Sequence, residues 1–367
     1  ATGRPGGQSL VVRPRMFALE EAGRRGAAVV VPLPGVDVVG QLSHFEAQEN
    51  GFFAAGPVTR ASTPGVPIDG EMSFTVVNGT LVGRVVVGER LFRIRRVGQS
   101  DLAQVEEVDL AALPPDGEPI AVDGSAEDAA ANAAAGAVQA GDSNAIVDVL
   151  VVYTPAARAA LGGTALVEAE AVAAVNNANL ALQHSGVTHR YRIAYLGEVN
   201  YTESGTSTDL SRLRAIGDGY LDEVHALRDI HQADVVSMLT EATDACGIAY
   251  VMGSSNVSAS FNTLAFNVTI ARNCASANLS LAHEIGHNLG VQHDRPNASS
   301  APAFDYAYGF TVPGFARTVM AYACSNGGSC PRVSVFSSPG VPFPTSGITA
   351  GTATEDNARA LNATSST

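Results

Sequence analysis

The segment 283–294 constrains this chain more than any other, because it places three histidines and a glutamate within twelve positions. In a helix, residues four apart lie one turn apart on the same face. His283 and His287 are therefore expected to point in one direction. Glu284 is offset from that face, so its carboxylate lies beside the histidine pair and does not extend it.

A turn after this helix would bring back the third histidine. Gly290 supplies the turn, because glycine adopts the positive φ at which helices commonly end. Three neutral imidazoles fill three of the four positions of a tetrahedral Zn²⁺ site and leave the fourth for water. The spacing thus predicts one catalytic zinc held by His283, His287 and His293, with Glu284 as general base toward the water. The alternative is a set of surface or core histidines in an ordinary helix.

The pattern H-E-x-x-H-x-x-G-x-x-H resembles the signature of the metzincin zinc endopeptidases. Asp294, directly after the third histidine, is similar to the reprolysin-like branch. The family's methionine turn has a counterpart in the run 318–322, Thr-Val-Met-Ala-Tyr. There the resemblance implies that Met320 forms a hydrophobic floor beneath the metal, whereas a plain core methionine is the alternative. Gly290, Asp294 and Met320 would then support the site without binding the metal.

Three further strings resemble the bacterial peptidyl-Asp metalloendopeptidases, which cut on the amino side of aspartate: residues 148–155, 201–205 and 246–250. The resemblance covers the chain well from about Ile146 to the C-terminus and only loosely before it. It implies an α+β catalytic domain with a twisted mixed five-stranded sheet, two long helices, an active-site helix and an irregular lower subdomain.

Tyr322 departs from the reprolysin pattern, since it stands two positions after Met320, as a tyrosine does in astacins and serralysins. The resemblance to those enzymes implies a switchable fifth zinc ligand that also hydrogen-bonds the oxyanion. A packed aromatic side chain beside the turn is the equal alternative.

Selectivity for aspartate calls for a cation in the substrate pocket, and the planar fork of arginine suits a carboxylate. Arg332, shortly after the methionine turn, is the first choice and Arg272 the second. The alternative is that both arginines are ordinary surface residues.

The four cysteines all lie in the C-terminal part, and an even number fits disulfides formed in an oxidising compartment. Three pairings are open. Cys246–Cys274 with Cys324–Cys330 is favoured, because the latter pair spans a short loop containing Gly327 and Gly328. A cysteine metal site is the competing interpretation.

Composition and strand patterns divide the chain into three parts. Residues 1–122 are β-rich, with a hairpin predicted where Asn78-Gly79 joins two β-like runs. Residues 123–144 are dominated by alanine, glycine and small acidic residues and are interpreted as a cleavable activation linker. Residues 145–367 alternate strand and helix patterns, and include a predicted helix over 209–230 interrupted at 217–219. They form the predicted protease domain.

The first part is predicted to be a propeptide that inhibits the protease. Residues 97–157 contain no arginine or lysine, so trypsin-like convertases lack a target there. An aspartate-directed protease could instead cut its own linker at Asp123, Asp128 or Asp142. The N-terminal part has no cysteine to ligate zinc, which leaves a carboxylate, His44 or simple steric blockage as the inhibiting group.

The formal net charge of −14 argues against nucleic-acid or anionic-membrane partners. No signal peptide is visible, so for a secreted protease it is expected to have been removed or omitted. Protein or peptide substrates and the chain's own propeptide are the expected partners. The second function class is a secreted binding or adhesion protein, with a permanent N-terminal β module on a catalytically inactive scaffold.

Overall fold

Two β-sheets organise the protein, one in each half of the chain. The computed structural model describes residues 8–65, 69–122, 145–324, 330–344 and 346–365. The first sheet is built from the N-terminal part alone. The second belongs to the C-terminal part but takes one short strand from the N-terminal part. The mixed α/β architecture of the C-terminal part fits the α+β class predicted for a protease domain.

The N-terminal sheet has nine strands with antiparallel pairing, in the order β1-β9-β8-β7-β6-β5-β3-β2, with β4 also paired to β5. The predicted hairpin is present, and Asn78 and Gly79 both have positive φ, as a tight turn requires. One helix, α1, packs beside the sheet. The elements are β1 (Ser9–Val12), α1 (Met16–Arg24), β2 (Ala28–Leu33), β3 (Val36–Gln41), β4 (His44–Gln48), β5 (Gly51–Ala61), β6 (Gly70–Val77), β7 (Thr80–Val87), β8 (Arg90–Arg96) and β9 (Ala103–Val108).

The C-terminal sheet has the order β10-β14-β15-β13-β11-β12 and mixes parallel with antiparallel pairing. Its central strands are apolar runs buried on both faces, as expected when helices cover a parallel sheet. The elements up to the sheet's last strand are β10 (Ile120–Ala121), β11 (Ile146–Tyr153), α2 (Pro155–Leu161), α3 (Thr164–His184), β12 (Arg190–Glu198), α4 (Thr206–Arg214), α5 (Asp222–His231), β13 (Val235–Thr240), β14 (Gly247–Val251) and β15 (Phe266–Ile270).

After β15, the described part of the chain forms one fully buried helix, four short strands and a final helix. The rest of this part is mostly irregular. Short 3₁₀ turns cover Ala259–Leu264 before β15 and Arg295–Asn297 after it, and a π-type turn covers Ala271–Ala275. The remaining elements are α6 (Ser280–Asn288), β16 (Gln292–Asp294), β17 (Tyr308–Gly309), β18 (Thr311–Val312), β19 (Ala316–Arg317) and α7 (Asn357–Thr364). Within the described residues, no helix has the length and apolar character needed to span a membrane.

The resemblance implied two long helices, and only one of them is continuous. Helix α3 runs for 21 residues. The second is divided into α4 and α5 at the interruption that was predicted over 217–219. Gly217 and Gly219 have φ of +78° and +85°, in the left-handed region that favours glycine and ends helices.

Helix α3 lies between the two sheets. It packs against β12 on one side and against β6 and β7 on the other. Its alanine-rich sequence suits this position, because small side chains on every face let both sheets approach closely. Val82 contacts Ala169 and Ala173, and Phe53 contacts Leu180. The N-terminal sheet is therefore docked on the C-terminal part of the chain through an apolar interface.

A buried ion pair reinforces this docking. Arg84, 2% exposed, pairs with Glu71 on the neighbouring strand. Its Nε donates to the carbonyl of Ala277 at 2.7 Å, and its Nη2 donates to the carbonyl of Arg332. Glu71 in turn accepts the backbone N–H of Ser334 at 2.9 Å. The N-terminal sheet thereby holds the segment 332–334 through charged groups that are shielded from water.

Both favoured cysteine pairings are present. Cys246 is bonded to Cys274, and Cys324 is bonded to Cys330. The first disulfide ties the start of β14 to the π-type turn that precedes α6. This cross-link connects the edge of the sheet to the helix that carries the predicted zinc ligands.

Replacement of Arg84 by Met should destabilise the docked N-terminal sheet, because Glu71 would be left buried without a counter-charge. The expected loss is about 3–5 kcal/mol in the free energy of unfolding. Arg90→Met is the matched control, since its pair with Glu107 is partly exposed and should cost no more than about 1 kcal/mol. Urea denaturation of the full chain measures both, and equal losses would contradict this account of the interface.

Candidate metal centre

Helix α6 is buried along its whole length, and two of its histidines point into the same space. The Nδ1 atoms of His283 and His287 lie 2.9 Å from the backbone carbonyls of Val319 and Val291, respectively. A carbonyl only accepts hydrogen bonds, so each Nδ1 carries the proton and each Nε2 presents a lone pair. Two hydrogen bonds to the backbone thereby fix both tautomers in the state that binds a metal.

The third histidine completes a triangle of ring nitrogens. The Nε2 atoms of His283, His287 and His293 are each 3.1 Å from the other two. A tetrahedral Zn²⁺ with bonds of 2.0–2.1 Å would separate its nitrogen ligands by about 3.3–3.4 Å. Lone pairs that converge this closely repel one another unless a cation lies between them. The residues therefore fit a zinc ion, and together they form a group able to hold a metal.

Burial keeps the ligands uncharged. It lowers the pKa of His283 and of His287 well below the usual value for histidine, and neighbouring rings lower that of His287 further. Burial also lowers the pKa of His293. All three rings are thus neutral at physiological pH, the state that a metal requires.

The turn predicted at Gly290 returns the chain to the metal centre. Gly290 has φ +85°, and a Cβ there would lie 2.6 Å from the Cβ of Ala303. The position therefore requires glycine for its backbone angle and for its close neighbour. Met320 is fully buried beneath α6, with its Sδ 2.7 Å from where a Cβ on Gly286 would stand. Asp294 accepts the backbone N–H of Tyr322 at 2.9 Å and so links the third histidine to the methionine turn.

Glu284 has the environment of a general base. Its side chain is fully buried, and within the described residues neither carboxylate oxygen has a hydrogen-bond partner. Burial raises the pKa of Glu284 well above its usual value, and the negative charge of Asp116 raises it further while Arg332 opposes this. A Cβ on Gly247 would lie 2.5 Å from Oε1, so the carboxylate stands directly against the start of β14.

Tyr322 lies beside the third histidine. Its ring centroid is 4.0 Å from that of His293. Its hydroxyl donates to the carbonyl of Asp116 at 2.9 Å. Burial and the nearby carboxylates of Glu118 and Asp116 raise the pKa of Tyr322, so the phenol stays protonated and remains a donor.

The two candidate pocket arginines have different surroundings. Arg332 is 2% exposed and pairs with Asp116, whose carboxylate also lies within 4.8 Å of ligand atoms of His283 and Glu284. Burial would raise the pKa of Asp116, but Arg332 overrides this and holds it far below its usual value. Arg272 instead pairs with Glu241, and its side chain is 48% exposed.

Asp116 is the site residue that sequence reasoning missed. The available signal was weak. The run 113–118, Leu-Pro-Pro-Asp-Gly-Glu, is typical of a turn. Its residues do not predict a contact between Asp116 and Arg332, which lies 216 positions away. Of the other candidate groups, His44 packs edge-on against Phe53 in the N-terminal sheet. The linker residues Asp123, Asp128 and Asp142 lie outside the described residues.

Comparisons with known proteins place this metal centre within a matched region. The family model Reprolysin_5, described as metallo-peptidase family M12, matches residues 143–337. A peptidyl-Asp metalloendopeptidase of Stenotrophomonas maltophilia (strain K279a) is 34% identical over 319 residues, which cover 84% of this chain and 73% of that protein. A peptidyl-Asp metalloendopeptidase of Xanthomonas campestris is 35% identical over 221 residues, covering 60% of this chain and 50% of that protein. A solved structure described as a chaperone–substrate complex aligns with a TM-score of 0.47 and 19% identity, over 77% of this chain and 37% of that chain.

Zinc should stabilise the protein through the three histidines. Addition of zinc to chelator-treated protein at 1,000 times its dissociation constant should raise the unfolding free energy by about 4 kcal/mol. His287→Gln should abolish most of this gain. His231→Gln, a histidine packed against Tyr195 away from the three ligands, is the control that should retain it. Thermal melts with and without zinc measure the shift, and an undiminished shift in His287→Gln would remove this residue from the ligand set.

Proposed function

The chain belongs to metallo-peptidase family M12. We propose that this metalloendopeptidase uses zinc, that Glu284 is its general base and that the chain is the proenzyme form. One observation carries the proposal. Three imidazole Nε2 atoms converge, each 3.1 Å from the other two, beside a buried carboxylate that has no hydrogen-bond partner among the described residues.

The chain's own residues account for the proton transfers. When bound, the metal supplies a Lewis acid that acidifies a water molecule and polarises the scissile carbonyl. A carboxylate oxygen of Glu284 takes the water's proton and delivers it to the leaving amine nitrogen. The hydroxyl of Tyr322 donates a hydrogen bond to the carbonyl oxygen as negative charge develops there. Glu284 suits this role because its carboxylate is buried beside the three histidines and both of its oxygens are without a hydrogen-bond partner among the described residues.

Substrates are proposed to bind as an added strand along β14. This strand forms the edge of the sheet's own five strands, and its first residue, Gly247, lies against Glu284. A peptide that pairs with β14 is held by main-chain hydrogen bonds and passes over the catalytic carboxylate. In the structure, β10 of the N-terminal part occupies that edge, with Ile120 opposite Tyr250 and Ala121 opposite Val251.

Occupation of this edge supports the proposal that residues 1–122 are an inhibitory propeptide, joined to the protease domain by the linker 123–144. Secretion is proposed as well. It is supported by the two disulfides, because such bonds form and persist in oxidising compartments. A permanent adhesion module, the other function class, is less consistent with a strand lying across the cleft of an intact catalytic site.

Selectivity for the amino side of aspartate is proposed to rest on Arg332. Two relatives carry the name peptidyl-Asp metalloendopeptidase. Arg332 is a buried cation beside the metal centre and already binds an aspartate carboxylate, that of Asp116. Arg272 is disfavoured because its guanidinium is half-exposed and engaged by Glu241.

The variant Glu284→Gln should bind zinc but lose hydrolysis by about 10²–10⁴-fold, because the amide cannot accept the water's proton. If maturation is autocatalytic, the variant should also remain full length, whereas the wild-type chain should acquire a new N-terminus near Asp142. Peptide hydrolysis, metal content and mass spectrometry of the N-terminus measure these outcomes. Retained turnover would refute the role of Glu284, and a wild-type start far from any linker aspartate would count against self-processing.

Arg332→Gln should reduce the preference of the mature enzyme for aspartate over asparagine peptides by about 100-fold, because the substrate carboxylate would be buried without a counter-charge. Arg332→Lys, which keeps the charge but loses the planar fork, should retain part of the preference. Arg272→Gln is the matched control and should leave it unchanged. The ratio of kcat/KM for the two peptides is the measurement, and a loss of preference in Arg272→Gln with none in Arg332→Gln would reverse the assignment.

A further inference from the structure

We propose that Asp116 of the N-terminal part fills the enzyme's own pocket for a substrate aspartate; this inference rests on the Asp-selective protease proposed above. The segment around Asp116 runs in the direction opposite to that of a substrate. The same arginine, Arg332, would then serve inhibition before maturation and selectivity after it.

Side chains of the C-terminal part surround the Asp116 carboxylate as a binding pocket surrounds a ligand. Its Oδ2 pairs with Nη2 of Arg332, and its Oδ1 accepts from Oγ of Ser280 at 3.2 Å and faces Nη1 of Arg332 at 3.5 Å. Arg332 and Asp116 expose only 0% and 4% of their side chains. Protease-domain groups thus surround a carboxylate that comes from the part of the chain proposed to be removed.

Among the described residues, removal of that carboxylate would leave the guanidinium of Arg332 with two hydrogen bonds, both to backbone carbonyls. Its Nη1 donates to the carbonyl of Asn278 at 3.0 Å, and its Nη2 lies 3.4 Å from that of Ala321. These carbonyls are neutral and do not cancel its charge. A second buried cation, Arg317, acts on the same carboxylate and further favours an anion there. A guanidinium that loses its directly bound carboxylate is destabilised, so the mature pocket favours an incoming carboxylate.

Backbone contacts hold the segment on either side of Asp116 along the sheet edge. The N–H of Cys246 donates to the carbonyl of Pro115 at 2.8 Å, and the N–H of Gly117 donates to the carbonyl of Gly247 at 2.7 Å. A Cβ on Gly117 would lie 2.7 Å from that same carbonyl oxygen, so only glycine permits this approach. The strand that follows, β10, pairs with β14 in parallel.

The direction of the segment would protect the bond before Asp116 from cleavage. Cleavage on the amino side of an aspartate attacks the carbonyl of the preceding residue. Here that carbonyl, from Pro115, is turned away and bound by Cys246. The carbonyl beside Tyr322 is that of Asp116 itself, on the wrong side of the residue. A chain of opposite direction, antiparallel to β14, would exchange these two carbonyls and present the correct one to Tyr322 and Glu284.

Hydrogen exchange of the full chain tests the inference without relying on turnover. With Glu284→Gln as the background, so that the chain stays intact, Asp116→Asn should accelerate exchange at the amides of Cys246 and Gly117 by about 100-fold. Asp109→Asn, an exposed carboxylate on the same segment, is the matched control and should change neither amide. The acceleration should persist in excess chelator, because Asp116 is held by Arg332. An effect that vanishes with the metal removed would make Asp116 a metal ligand and overturn the inference, as would unchanged exchange.

A peptide of residues 113–122 added to the mature wild-type enzyme provides the second test, independent of how the variants fold. It should inhibit hydrolysis of an aspartate substrate and should resist cleavage before its own aspartate. The same peptide with asparagine at position 116 should inhibit about 100-fold more weakly. Equal inhibition by both peptides, or cleavage between Pro115 and Asp116, would refute the inference. A mature enzyme that hydrolyses no polypeptide would instead refute the proposed function.

Discussion

Convergence of three imidazole nitrogens on one buried point is the constraint on which the site depends. Backbone carbonyls of Val319 and Val291 fix the tautomers of two rings, and the turn at Gly290 brings His293 back to complete the triangle. A cation bound between the three rings satisfies all three nitrogens at once. Val319 belongs to the methionine turn, so the hydrogen bond between His283 and its carbonyl also joins that turn to α6.

The edge strand β14 connects this centre to the segment of the N-terminal part that pairs with it. Gly247 stands against Glu284 on one side and against Gly117 on the other, so a single glycine separates the Glu284 carboxylate from the segment of the N-terminal part. Two glycines without side chains allow the two backbones to meet there. Arg332 lies at the end of the same cleft. Its carbonyl is also bound by Arg84, which couples the pocket to the docked N-terminal sheet.

The sequence predicts the local features of this structure well. The histidine spacing, the turn at Gly290, the hairpin at Asn78-Gly79 and the helix interruption at 217–219 each follow from backbone preferences within a few residues. The disulfide partners were favoured by loop length and by elimination. These features share one property, because their physical causes lie within a short stretch of chain.

Long-range features were not predictable in the same way. The pairing of Asp116 with Arg332 and of Arg84 with the segment 332–334 joins residues more than 200 positions apart. These contacts depend on how the two sheets pack against α3, and neither periodicity nor a motif in the sequence predicts that packing. Sequence reasoning offered a carboxylate as one of three inhibitory groups but gave no means of choosing Asp116. Arg332 was selected for its chemistry and its place after the methionine turn.

X-ray absorption spectroscopy on the purified full chain tests the central claim most directly. The account predicts one zinc per chain with three nitrogen ligands at about 2.0–2.1 Å and no sulfur ligand. The spectrum of His293→Gln should show one imidazole fewer. A sulfur-coordinated zinc, or a well-folded chain that takes up no transition metal when zinc is supplied, would contradict it.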